Sequence, residues 1–254
     1  MNKALTPEER LIVAVDSRER FMSRKPLKNW IAGFLKELDG LKICVKLESS
    51  LRLFGFSFIT DVQKMGFRVF ADLKLYGTPS TLNRDACHIS HVNPHFVTIC
   101  GQVGERGMSS FVRGLTSETK IIGVSLLTTQ DTDFAQEYYK LSYLNSYLHF
   151  ADKVVKNGAK GLICPPDWQM VVQVRRAFGN EVATICPGIR LEGEEVTQDD
   201  QSGFFTRTPR KAIAAGADYI VVGRPITSAL EPRKVAERII REIELGLADR
   251  EREL

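Results

Sequence analysis

The chain has 254 residues, 43% hydrophobic and 26% charged, proportions of a water-soluble globular protein with room for one large α/β domain or two small ones. Its 35 Lys and Arg stand against 31 Asp and Glu, a formal charge of +4 without a long basic run. That balance argues against a nucleic-acid partner and is compatible with a small anionic substrate. The opening MNKALTPEER lacks the apolar core of a signal peptide and no apolar run reaches membrane-spanning length, so a cytoplasmic protein with no membrane partner is expected.

In chain order, eight short apolar runs recur: LIVAVD (11–16), KICVKLE (42–48), RVFADLKL (68–75), FVTIC (96–100), KIIGVSLLTT (120–129), GLICPP (161–166), EVATICPG (181–188) and YIVVGRP (219–225). Continuous Val/Ile-rich runs predict strands covered on both faces, as in a parallel sheet. Helical patterns lie between them. The 17–40 stretch sets Trp30, Phe34 and Leu38 at helical spacing and stops at Gly40, and 49–66, 146–160, 208–218 and 231–246 follow the same plan. Eight β/α alternations predict a single-domain (β/α)8 TIM barrel over 1–254, with a doubly wound open sheet as the alternative, because period alone does not show closure. Residues 130–144 lack clear periodicity and read equally as a loop over the site or a connecting helix.

The five cysteines, Cys44, Cys87, Cys100, Cys164 and Cys186, are odd in number, widely spaced and mostly in apolar runs. Reduced, packed thiols are expected, and without a C-x-x-C pair or a His/Cys cluster no metal is.

In a barrel the carboxyl ends of the strands share one face, where chemistry sits. The polar residues at those ends are Asp16, Lys46, Asp72, Lys74, Thr128, Thr129, Pro187, Gly188, Arg190, Gly223 and Arg224. Asp72 and Lys74 are two apart on one strand, so alternation points them the same way. Opposite charges on an inner strand face are costly unless they meet each other or a charged ligand. Gly223 followed by Arg224 ends the last strand as a phosphate cradle would, and Gln201, in the long 187–209 loop, is a candidate amide bridge to that phosphate.

In this order and spacing, LIVAVD, VKLESSLRLFG, ADLKL, LLTTQDT, CPGIR, the DDQ of the seventh loop and VVGRPIT resemble orotidine 5′-monophosphate decarboxylases over most of the chain. The resemblance implies decarboxylation of orotidine 5′-monophosphate to uridine 5′-monophosphate in pyrimidine biosynthesis, with no cofactor and in a homodimer. It implies Lys74 as proton donor to C6, Asp72 crowding the departing carboxylate, and Lys46 pairing with Asp72. It also implies Asp16 on the ribose hydroxyls, Thr129 on the pyrimidine amide, Gln201 and Arg224 on the 5′-phosphate with Gly223 offering backbone, and Thr81 and Pro187 among the substrate-binding residues.

The family's D-x-K-x-x-D-I-P-x-T reads DLKLYGTPST here: Gly77 stands at the second aspartate, Thr78 at the isoleucine, Tyr76 at what is often a histidine, and Pro79 and Thr81 remain. Cys100 also stands where a histidine is common. A Lys-Asp-Lys array without that carboxylate is more positive and holds a ground-state carboxylate too comfortably. Replacement by Asp131, Asp133 or Asp85 is one expectation. A sugar-phosphate lyase of the same superfamily, and a non-catalytic uridine-nucleotide-binding homologue, are the alternatives.

Overall fold

A computed structural model describes residues 5–16, 24–127, 129–193 and 207–252. All eight apolar runs form strands: β1 (Leu11–Ala14), β2 (Cys44–Leu47), β3 (Arg68–Leu75), β4 (Phe96–Cys100), β5 (Lys120–Val124), β6 (Gly161–Ile163), β7 (Ala183–Cys186) and β8 (Tyr219–Val222). They pair in sequence order into a closed barrel. The closing ladder is parallel, Leu11 opposite Ile220 and Val13 opposite Val222, so the open-sheet alternative is excluded.

The helices are α1 (Arg24–Glu37), α2 (Ser49–Phe54), α3 (Ser57–Gln63), α4 (Pro79–Val92), α5 (Gly104–Gly114), α6 (Thr132–Tyr139), α7 (Tyr143–Lys156), α8 (Trp168–Phe178), α9 (Pro209–Ala214), α10 (Arg224–Thr227) and α11 (Pro232–Arg252). The 49–66 pattern, expected as one helix, is two: Gly55, at φ +81°, ends α2 before α3 begins. Of the two readings of 130–144 the helical one holds, since α6 starts where the Asp131 carboxylate accepts the Phe134 N–H. Thr78-Pro79 and Thr208-Pro209 open α4 and α9 by one device, a threonine hydroxyl accepting a backbone N–H and a proline in the first turn.

Alternation along the strands divides the core in two. Leu11 and Val13 pack outward beneath the helices, whereas Ile12 joins Cys44, Phe70, Phe96, Ile122, Ile185, Tyr219 and Val221 in a strand-only cluster. Phe96 meets Phe70 and Tyr219 edge-on, with ring centroids 5.6 and 5.3 Å apart. These rings fill the barrel interior, and the carboxyl ends of the strands lie above them. All five cysteines are free thiols; Cys44, Cys164 and Cys186 are buried, while Cys87 is exposed on α4. No helix among the described residues is long and apolar enough to cross a membrane.

Candidate active site

The third strand is not regular where its charges lie. Ala71 pairs with Val97 and Leu75 with Ile99, so the register shifts and residues 72–74 bulge. Lys74 sits in the left-handed region at φ +47°, which costs a non-glycine residue about 1 kcal/mol. The neighbouring strand holds it there. The Lys74 N–H donates to Thr98 Oγ1 at 2.7 Å, the Thr98 hydroxyl donates to Asp72 Oδ1 at 3.0 Å, and the Cys100 thiol donates to the Lys74 carbonyl at 3.4 Å. Asp72 and Lys74 do face the same side, but through a bulge clamped by Thr98 rather than by alternation.

The bulge completes a ring of four charges. Lys46 Nζ lies 2.8 Å from Asp72 Oδ2 and 3.4 Å from Glu48 Oε2; Lys74 Nζ lies 3.0 Å from Asp72 Oδ2 and 2.9 Å from Glu48 Oε1. Each ammonium touches both carboxylates, and the ring is neutral. Burial alone would neutralise such groups; the ring keeps them ionised. For Asp72, burial opposes ionisation, but Lys46 and Lys74 outweigh it and hold the carboxyl at about 2. For Lys46, burial is again outweighed, by Asp72 and Glu48, and its pKa is raised. Glu48 is lowered by Lys46 and Lys74 against its own burial.

Glu48 was not among the expected site residues, and it corrects the expected Lys-Asp-Lys array. Its signal was available: Glu48 follows Lys46 by two in the same run, the spacing that marked Asp72 and Lys74. The replacements named from sequence stand elsewhere in the chain. Asp131 caps α6, Asp85 lies on α4, Asp133 lies within α6, and none lines the cavity around the ring.

Asp16 supports the turn that carries Glu48. Its carboxylate accepts the backbone N–H of Glu48 at 2.6 Å and of Ser50 at 2.7 Å, and the Ser49 hydroxyl at 3.2 Å. An ionised carboxylate accepts about four hydrogen bonds, so it retains capacity for a further donor.

These groups open into a cavity of about 580 Å³ that is also lined by Thr129, Pro187, Gly188, Arg190, Gly223 and Arg224. A depression of about 610 Å³ lined by Tyr143, Asp167, Gln173 and Arg176 shares no residue with it and has no comparable charge ring. Burial, and then Arg190, lower the pKa of Arg224; two guanidiniums facing one space are a receptor for an anion. One cavity thus joins a charge ring from β2 and β3 to a cationic end from β7 and β8. Of the expected residues, Asp16, Lys46, Asp72, Lys74, Thr129, Pro187, Gly223 and Arg224 line it. Thr81 does not: it lies in the first turn of α4, its hydroxyl 3.0 Å from that of Thr78. Gln201 lies outside the described residues.

Such a site can hold a dianion at one end and place a fixed ammonium against a reacting carbon at the other. Residues 9–239 match the model of the orotidine 5′-phosphate decarboxylase / HUMPS family. An orotidine 5′-phosphate decarboxylase of Vibrio cholerae serotype O1 is 34% identical over 212 residues, 81% of this chain and 89% of the relative. One from Wigglesworthia glossinidia brevipalpis is 31% identical over 190 residues, 73% of this chain and 79% of the relative. The crystal structure of orotidine 5′-phosphate decarboxylase from Lactobacillus acidophilus superposes with a TM-score of 0.74 at 26% identity, covering 92% of this chain and 99% of that one.

Proposed function

The chain belongs to the orotidine 5′-phosphate decarboxylase / HUMPS family, and from that premise we propose that its cavity converts orotidine 5′-monophosphate to uridine 5′-monophosphate. It is a carboxy-lyase of pyrimidine biosynthesis, acting on a nucleotide phosphate. The observation that carries the reading is the ring of two lysines and two carboxylates sharing one cavity with a pair of guanidiniums.

The chemistry follows from the charges. The bond from C6 to the carboxylate breaks, its electron pair stays on C6, and carbon dioxide leaves. The Lys74 ammonium gives its proton to C6 and regains one from solvent. Catalysis needs the site to favour charge on carbon over charge on carboxylate, and a fixed ammonium beside C6 with Asp72 against the leaving group does so. Lys46 keeps Asp72 ionised. Arg224, Arg190 and the Gly223 backbone hold the 5′-phosphate, whose binding supplies energy for pressing the carboxylate into place. Asp16 has capacity left for a ribose hydroxyl, and the Thr129 hydroxyl meets the pyrimidine amide. The family resemblance adds Gln201 at the phosphate, a cytoplasmic location and a homodimer, which size-exclusion chromatography with light scattering tests.

Asp72 and Glu48 are each matched by two ammoniums, a pairing that suits the metal-free reaction better than a sugar-phosphate lyase. The test is turnover of orotidine 5′-monophosphate without added metal, abolished by Lys74→Ala. Mg²⁺-dependent turnover of a ketose phosphate would establish the lyase, and tight uridine 5′-monophosphate binding without turnover a non-catalytic homologue.

A further inference from the structure

We propose that Glu48 is the second carboxylate of the array, supplied within the chain, and that it acts through the two lysines: it fixes the Lys74 ammonium and makes the array neutral, so the site does not bind the substrate carboxylate as a resting counter-ion. This rests on the decarboxylase reading above.

Three observations carry it. Glu48 stands at the N-cap of α2, yet its side chain caps nothing there; one carboxylate oxygen goes to each lysine, at 2.9 and 3.4 Å, while the exposed Arg52 guanidinium stays farther off, at 3.9 Å. Its backbone is pinned by Asp16, so the carboxylate is aimed by its main chain and not only by the ions it meets. At Gly77, where the family motif places an aspartate, the structure has no side chain, and an added Cβ would meet only Thr81, at 3.5 Å or more. Glu48 therefore serves a ring that lacks any carboxylate from that position.

The consequence is a difference between two ligands. Removing the Glu48 charge leaves two ammoniums against one carboxylate, and the excess positive charge attracts a 6-carboxylate in the ground state. The same change leaves the Lys74 ammonium with one anchor instead of two, and its four-carbon stem regains freedom. Substrate binding tightens while the chemical step slows.

The experiment compares the parent with Glu48→Gln, which keeps shape and removes charge, and Glu48→Asp, which keeps charge. Steady-state kinetics are paired with the affinity for orotidine 5′-monophosphate, read by stopped-flow before turnover, and the affinity for uridine 5′-monophosphate, which lacks the 6-carboxylate, read by calorimetry. Glu48→Gln should lower kcat about 10- to 100-fold and tighten the carboxylated nucleotide about 5- to 20-fold relative to the uncarboxylated one. Glu48→Asp should keep the parent's affinity ratio. An unchanged kcat and ratio in Glu48→Gln, or equal weakening of both ligands, overturns the proposal, the latter by showing a merely structural part. A parent without turnover refutes the decarboxylase reading, and the affinity ratio then still decides the part played by Glu48.

Discussion

The Asp16 carboxylate holds the backbone N–H of Glu48 at 2.6 Å, so a residue at the end of β1 sets the position of a charge that meets both lysines of the ring. A hydrogen bond to a charged acceptor is worth roughly 1.5–3 kcal/mol, and Asp16 accepts from two backbone groups of this turn. Asp16→Ala should therefore slacken the turn and lower kcat/KM about 100-fold, a larger effect on activity than on the thermal midpoint. Steady-state kinetics beside thermal unfolding check this; unaltered kinetics would show that Glu48 needs no such support.

Gly77→Asp follows from the same ring. Gly77 has no left-handed φ, and a Cβ there meets Thr81 only at ordinary contact distance, so the variant should fold with an unchanged thermal midpoint. With Glu48 already balancing the lysines, a further carboxylate brings no gain, and kcat should change less than about 3-fold. A large rise in kcat would show that the parent ring is incomplete.

The barrel was legible because its strands are buried on both faces: each of the eight runs is apolar enough to be read without knowing its neighbours. Their ends were less legible. KIIGVSLLTT continues as an apolar run past Val124, where pairing stops, because the core beneath the loops is apolar too and composition does not mark the last ladder bond. Lys46, Asp72 and Lys74 were found because charges in apolar strands stand out. Thr98 was not, since a threonine inside FVTIC looks like any β-former, and its work, tying Lys74 N–H to Asp72, depends on a register shift between β3 and β4. Glu48 was passed over because a charge at a strand-to-helix turn is ordinarily a solvated cap.

Arg224 and Arg190 share the far end of the cavity, and like charges gather at a cost that a phosphate reverses. Arg224→Ala should raise KM for the nucleotide about 10- to 100-fold, in line with loss of a charged hydrogen bond. Affinity for uridine, which carries no phosphate, should stay the same. Competition assays with nucleotide and nucleoside separate the two; equal weakening of both would place Arg224 away from the phosphate.

At the opposite end of the barrel, Arg175 on α8 donates to the Val182 carbonyl at 2.7 Å and to Thr184 Oγ1 and the Gly216 carbonyl at 3.1 Å, and pairs with Asp218. Asp218 in turn accepts the Thr184 N–H at 2.8 Å. This network ties α8 to β7 and the approach to β8. Arg175→Met keeps the stem and leaves Asp218 and two carbonyls short of donors, so it should destabilise by about 3 kcal/mol, the usual cost of removing one partner of a mostly buried pair. Chemical denaturation measures it, and a loss below about 0.5 kcal/mol would show the network to be dispensable.

Stability should also fall as pH drops below about 6.5, because of His95. Burial, then Arg68 and Lys120, hold this histidine down at about 4, against about 6.5 in an unfolded chain. Between these values the unfolded chain binds a proton that the folded chain refuses. The contribution is therefore complete above about pH 6.5 and is lost as pH falls toward 4, amounting to at most about 3 kcal/mol. Asp72, at about 2 in the fold, adds a loss of the same sign only below its unfolded value of about 3.9. His95→Gln, which cannot take up the proton, should flatten the fall in unfolding free energy between about pH 6.5 and 4.5 while leaving the steeper loss below it. Denaturant titrations of parent and variant across that window decide the matter: parallel curves would mean that another group carries the acid sensitivity.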